Sequence, residues 1–158
     1  MNWTGLGSAL FVAAMAGLPA GAAGQMDHEQ HMAAMKPGEH PMGFDETRTT
    51  HHFRLSPKGG TIEVLVNDPS DRQLRDQVAA HLRMIAGQFA HGDFQAPFAV
   101  HGEDPDGVPA LRRLSGSITY TFTPEDAGGR IVIATTSKKA LAAVHEFLRY
   151  QIREHGHQ

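Results

Sequence analysis

Methionine and histidine side chains are concentrated near the start of the chain, where residues 26–42 read MDHEQHMAAMKPGEHPM. Thioethers are soft ligands that select Cu(I), and imidazoles accept Cu(I) and Cu(II) alike. This composition predicts a copper-binding segment, although a flexible linker of chance composition is the alternative. The side chains predicted to bind the ion are Met26, His28, His31, Met32, Met35, His40 and Met42.

Further histidines lie within apolar patterns that indicate a folded domain. His51 alternates with Phe53 on one face of a predicted strand, whereas its neighbour His52 faces the opposite side. If imidazoles from several elements meet in one core, they could bind a metal or haem iron, or perform acid–base chemistry near neutral pH. The alternative for each histidine is a structural role in the core with its ring hydrogen-bonded. For His51 the acceptor could be a backbone carbonyl or a nearby carboxylate. The candidates for this second site are His51, His81, His101 and His145.

Composition excludes several classes of site. The chain has no cysteine, so disulfides, thiolate metal sites and cysteine nucleophiles are absent. The net charge is −3 with histidine counted neutral, and no basic patch indicates nucleic-acid binding. No P-loop, nucleophile elbow, zinc-protease or dinucleotide-binding motif occurs, so the sequence names no enzymatic reaction.

The first residues are typical of a secretory signal. An apolar run from residue 6 to residue 18 leads into Pro19 and an Ala-x-Ala at residues 20–22. We therefore predict a signal peptide over residues 1–24, a periplasmic or secreted mature protein, and no membrane attachment after cleavage. A retained anchor is the alternative, but the run is short for a bilayer span.

The remainder predicts an α+β domain over residues 49–158, preceded by a flexible Met/His-rich tail over residues 25–48. Two runs of alternating apolar and polar residues surround a Gly-Gly turn and precede a helical pattern, and this order occurs twice. The units are ββα 49–91 and ββα 117–155, joined by an ordered loop, 92–116, that covers part of a pocket. They predict a four-stranded antiparallel sheet with two helices packed on one face, from an internal duplication. Asp68 is predicted to cap the first helix, with Pro69 at its first position.

The tail MDHEQHMAAMKPGEHPM resembles the Met/His-rich segments of periplasmic copper-handling proteins, and the body resembles small secreted bacterial proteins of uncharacterised function. The resemblance implies a role in copper buffering, delivery or resistance, with the metal ion as partner. A different hypothesis is a haem or small-molecule binding domain, with or without enzymatic activity, that uses a His-lined pocket between helices, sheet and loop. A third is an interaction module that forms a homodimer through the exposed sheet face, where Leu65 interrupts an otherwise polar pattern.

Overall fold

The computed structural model describes residues 42–155, which form strands, helices and short connecting turns. The first half contains strands β1 (Thr49–Ser56) and β2 (Gly59–Val66), followed by helix α1 (Arg72–Ala90). Two short helices follow, α2 (Gln95–His101) and α3 (Val108–Arg113). The second half contains strands β3 (Ile118–Glu125) and β4 (Gly128–Thr135), followed by helix α4 (Lys138–His155).

The strands form one antiparallel sheet in the order β1-β2-β4-β3. Each hairpin arises from its own alternating run, and the two inner strands, β2 and β4, pair with each other. Because side chains alternate across a strand, Ile62 and Val64 of β2 point to the same face as Ile131 and Ile133 of β4. These four side chains are buried. The predicted α+β fold with a four-stranded antiparallel sheet is therefore confirmed.

Each long helix packs on the hairpin of the other half. Helix α1 follows β2 but lies mainly against β3 and β4, and α4 follows β4 but contacts β1 and β2. The core between helices and sheet contains fully buried aromatic side chains such as Phe89 and Phe147. Each long helix therefore covers mainly the hairpin of the other half rather than its own.

Three features of the fold differ from the sequence prediction. Helix α1 begins at Arg72, because the Asp71 side chain accepts the hydrogen bond from the backbone N–H of Leu74 at 3.0 Å. Asp68 instead caps a preceding turn through Ser70, so its assignment as the helix cap was wrong. The segment 92–116 is ordered as predicted but contains α2 and α3. The folded part also starts before residue 49, since Phe44 is buried in the core.

A short 3₁₀ turn, Glu46–Arg48, leads into β1, so residues 42–48 belong to the domain rather than to the tail. The predicted signal peptide and residues 25–41 of the tail lie outside the described residues. Between residues 42 and 155, no helix combines the length and apolar character needed to cross a membrane.

Candidate functional site

A cleft between the sheet and three helices contains three of the four domain histidines that the sequence singled out, namely His51, His81 and His101. Its floor is formed by β1 and β2, its sides by α1 and α4, and its rim by α2. The polar and thioether side chains on its wall are Met42, Glu46, His51, His81, His101, Gln151 and His155. Apolar side chains, among them Phe53, Ile85 and Phe147, make up most of the remaining wall.

His51 lies on the inward face of β1, as its alternation with Phe53 predicted. Its ring is stacked near that of Phe53, and its Nε2 atom is buried without a hydrogen-bond partner among residues 42–155. Burial, followed by the nearby imidazoles of His155 and His81, lowers the pKa of His51 to about 4. At neutral pH the ring is therefore uncharged, and the buried Nε2 atom can bind a metal ion or accept a hydrogen bond.

His81 projects into the cleft from the buried face of α1. This face is set by Val78, Leu82 and Ile85, all buried at helical spacing. The edge of the Phe44 ring contacts the imidazole, with 5.4 Å between the ring centroids. Burial lowers the pKa of His81 to about 4, so this histidine is also uncharged at neutral pH.

His101 and His155 close the far side of the cleft. His101 is the last residue of α2, and its ring lies 5.1 Å from the ring of His155 at the end of α4. The His155 ring is in turn 5.9 Å from that of His51, and the two planes are nearly parallel. Burial, and then the neighbouring His101, lower the pKa of His155. The three rings form a continuous imidazole row, His51–His155–His101, across the cleft.

His155 was missed by the sequence analysis, and His145 was assigned to this site in its place. In the sequence, His145 has the helical spacing of the apolar residues Leu148 and Ile152, which predicts an inward position, but Ile152 is 38% exposed. The buried face of α4 instead passes through Phe147 and Gln151, so His155, one turn beyond Gln151, reaches the cleft. A polar Gln and several alanines on this face concealed it from a pattern based on large apolar residues.

His145 has a structural role in the β1–β2 turn. Its Nε2 lies 2.9 Å from the carbonyl oxygen of Ser56 and 3.1 Å from that of Gly59. A protonated Nε2 donates to both oxygens and fixes the turn to α4. The assignment of His145 to a common site with the cleft histidines was therefore wrong.

The cleft is not a preformed chelating cage. Among residues 42–155, no three His, Asp or Glu side chains are arranged so that they could hold a metal ion together. Three of the four predicted domain histidines thus share one cleft without converging on one point. Of the predicted tail ligands, Met42 lines the cleft and packs against the core. The others, Met26, His28, His31, Met32, Met35 and His40, lie outside the described residues.

The cleft is narrow and opens to solvent. Its free volume is about 80 Å³, whereas one water molecule needs roughly 10–15 Å³ by the same measure. It therefore holds a few water molecules, an ion with small ligands, or a small organic group. No lysine or arginine is among its lining residues in the described part of the chain, and Glu46 is its one carboxylate there.

Neither a protein-family model, nor a curated protein, nor a solved structure matches this chain.

Proposed function

We propose that the protein is a copper-binding protein whose cleft holds a single Cu(I) or Cu(II) ion through the imidazoles of His51 and His155. The observation that carries the proposal is the buried, unpartnered Nε2 of His51, which lies in the same cleft as a neighbouring imidazole and a thioether. A buried polar atom without a partner costs free energy unless a ligand satisfies it. A bound ion would supply that partner.

Electrostatics support a cation in this position. The imidazoles of His51 and His81 remain uncharged well below pH 7, and metal ligands must be deprotonated to bind. With Glu46 as a carboxylate and no lysine or arginine on the described wall, the cleft favours a cation over an anion. Because the lowered pKa values leave these imidazoles free of protons at neutral pH, copper does not have to displace a proton from them there.

The donor set supports copper over zinc. Structural zinc sites use four tetrahedral ligands, and catalytic ones use three protein ligands. The described residues offer no such group of His, Asp or Glu. The imidazoles of His51 and His155 and the thioether of Met42 are instead the kind of soft ligands that Cu(I) prefers. Cu(I) also accepts low coordination numbers.

The test is a competition titration of the protein against a chromogenic Cu(I) chelator, in a buffer that keeps the copper reduced. His51→Ala and His155→Ala should each weaken binding at the tight site by about tenfold or more, because each removes a proposed ligand. His52→Ala is the matched control, because His52 adjoins His51 on β1 but is not among the residues that line the cleft. Equal affinities of wild type, His51→Ala and His155→Ala would reject the proposal.

A small organic ligand or haem is the second candidate, favoured by the mainly apolar wall of the cleft. Because the free volume is small, a porphyrin would enter only if α2 moved away from α1 and α4. A Soret band that appears on adding haem to the wild type, and not to His81→Ala, would support this candidate over copper.

The copper proposal includes export to the periplasm or the cell exterior, where the Met/His-rich segment 26–42 would capture ions. A homodimer through the outward face of the sheet remains a further proposal. That face presents Val132, which is 37% exposed, beside polar residues such as Arg54 and Glu63. Light scattering at micromolar concentration measures whether the face associates.

A further inference from the structure

Gln151 is a buried polar side chain whose hydrogen bonds are incomplete. It is 4% exposed, lies on the inward face of α4, and lines the cleft. Its Oε1 atom is 3.4 Å from Nε2 of His101, and its Nε2 atom is buried without a partner among residues 42–155. An amide in an apolar wall is costly to desolvate unless both ends are satisfied. The side-chain N–H groups of Gln151 therefore have no hydrogen-bond acceptor among residues 42–155.

The position of this amide relates it to the proposed copper ligands. Gln151 and His155 are one turn apart on the same face of α4, a spacing that brings side chains into contact. The His101 ring contacts both of them, which places the amide beside the imidazole row. A small molecule bound to an ion at His155 would thus lie within reach of the Gln151 amide.

The charge of the cleft restricts what that molecule can be. An anion alone would meet the Glu46 carboxylate and no lysine or arginine of the described wall, so no fixed positive charge would stabilise it. Once a copper ion occupies the cleft, the same anion is neutralised by the metal and can accept a hydrogen bond from the amide. Anion binding should therefore require the metal.

We propose that the cleft binds copper together with one small oxygen-donor anion of the carboxylate class, and that the Gln151 amide donates a hydrogen bond to this anion. The inference rests on the proposed function, since the anion binds through the metal. The anion donates a lone pair to copper and displaces a bound water molecule, and no redox step is involved. Gln151 thereby selects a hydrogen-bond-accepting co-ligand over a neutral apolar one.

The experiment uses the full chain with one equivalent of Cu(II) and azide as a spectroscopic probe, because copper-bound azide gives a charge-transfer absorption band. We expect one azide per copper in the wild type, and displacement of azide by acetate. Gln151→Leu should weaken azide binding by about tenfold while the copper affinity stays within about twofold, because the lost group is a donor to the anion. Gln151→Glu should abolish azide binding through charge repulsion and strengthen copper binding.

Gln88→Leu is the matched control. Gln88 is also a helix glutamine with a buried, unpartnered amide atom, but it does not line the cleft. It should leave azide binding unchanged. Urea unfolding of each variant reports whether it is folded, and Gln151→Glu provides an independent outcome if Gln151→Leu is unstable.

The experiments distinguish failure of the anion inference from failure of the proposed copper function. If copper binds through His51 and His155 but azide binds equally well to wild type and Gln151→Leu, the inference is rejected and the proposed function stands. Azide binding to the metal-free protein would also reject the inference. If His51→Ala and His155→Ala bind copper as tightly as wild type, the proposed function is rejected and the inference with it.

Discussion

At the scale of single residues, the uncharged histidines of the cleft make the stability of the protein depend on pH. In the unfolded chain these imidazoles bind protons near pH 6.5, whereas the folded-state pKa is about 4 for His51 and His81. Between these values the unfolded state binds more protons, so the free energy of unfolding falls as pH falls. Above pH 7 both states are uncharged at these positions, and below about pH 4 both are protonated.

We expect urea unfolding of the metal-free protein to show nearly constant stability above pH 7 and a decline from about pH 6.5 to pH 4. The upper limit of the slope is roughly 1.4 kcal/mol per pH unit for each histidine. His81→Leu places an apolar side chain beside Phe44 and removes one titrating group. The decline of the free energy of unfolding with falling pH should therefore become shallower. A decline of the same steepness in wild type and His81→Leu would contradict this assignment of the pH dependence.

His145 and His155 lie on the same helix and should respond to substitution in different ways. His145→Ala removes the donor to the carbonyls of Ser56 and Gly59, and it should lower the free energy of unfolding by about 1 kcal/mol. Copper affinity should not change. His155→Ala should weaken copper binding instead, because its ring belongs to the imidazole row. Urea unfolding and copper titration of both variants separate the two roles, and loss of copper affinity in His145→Ala would contradict them.

Sequence patterns located the site at some positions and missed it at others for physical reasons. Strand alternation has an exact period, so the inward direction of His51 could be read from Phe53 alone. The buried face of α1 consists of large apolar residues at helical spacing, such as Val78 and Ile85, so the inward position of His81 could be predicted from them. On α4 the inward face includes Gln151, a buried polar residue that no hydrophobic pattern contains. The position of His155 therefore could not be predicted without the packing of the helices.

At the scale of secondary-structure elements, the first glycine of each Gly-Gly pair lies against neighbouring backbone with no room for a side chain. Gly59 has φ +149° and Gly128 has φ +152°, and each begins an inner strand. A Cβ atom on Gly59 would lie 2.0 Å from the carbonyl oxygen of Ile133, and one on Gly128 would lie 2.2 Å from that of Val64. The two glycines therefore occupy equivalent positions in the two hairpins.

We expect Gly59→Ala and Gly128→Ala each to lower the free energy of unfolding by more than about 2 kcal/mol, because the added methyl group meets rigid backbone and the residue must keep a positive φ. Gly116→Ala is the control, since a Cβ atom there meets nothing within 4 Å. Urea unfolding of the three variants measures the difference. Similar stabilities for Gly59→Ala and Gly116→Ala would show that the turn can relax.

The connection between the two halves was the least predictable element. Residues 92–116 have no sustained periodicity because α2 and α3 are only seven and six residues long. Such helices are too short for an apolar stripe and are stabilised by packing on the domain. Phe94 and Val108, which are fully buried, anchor them. The prediction that this segment covers a pocket could be made from such apolar residues, but its helical form could not.

At the scale of the whole molecule, the packing of each long helix on the hairpin of the other half brings residues from both halves to one cleft. Its residues come from β1 and β2 of the first half, from α1 and α2, and from α4 of the second half. The order of elements in the sequence predicted the sheet and both long helices. It did not predict which helix covers which hairpin, because that depends on the pairing of β2 with β4.

Copper binding by the whole chain should have two components, one from the cleft and one from the Met/His-rich segment that precedes it. Met42 belongs to both, since it ends the segment and lines the cleft. Deleting residues 26–41 keeps Met42, and we expect the stoichiometry to fall to about one copper per chain while the tightest affinity is retained. The cleft places its imidazoles on packed strands and helices, so we expect its ion to be held more tightly than the ions bound by residues 26–41.

Metal analysis after dialysis, combined with a titration against the chromogenic chelator, measures both components in the deletion variant. Its control is the full-length chain with His51→Ala and His155→Ala, which should lose the tight component and keep the weak one. If the deletion removed the tight component, Met26, His28, His31 and their neighbours would be its ligands, and the cleft would not hold the metal. If it left the stoichiometry unchanged, the segment would be a linker whose composition has no role in binding.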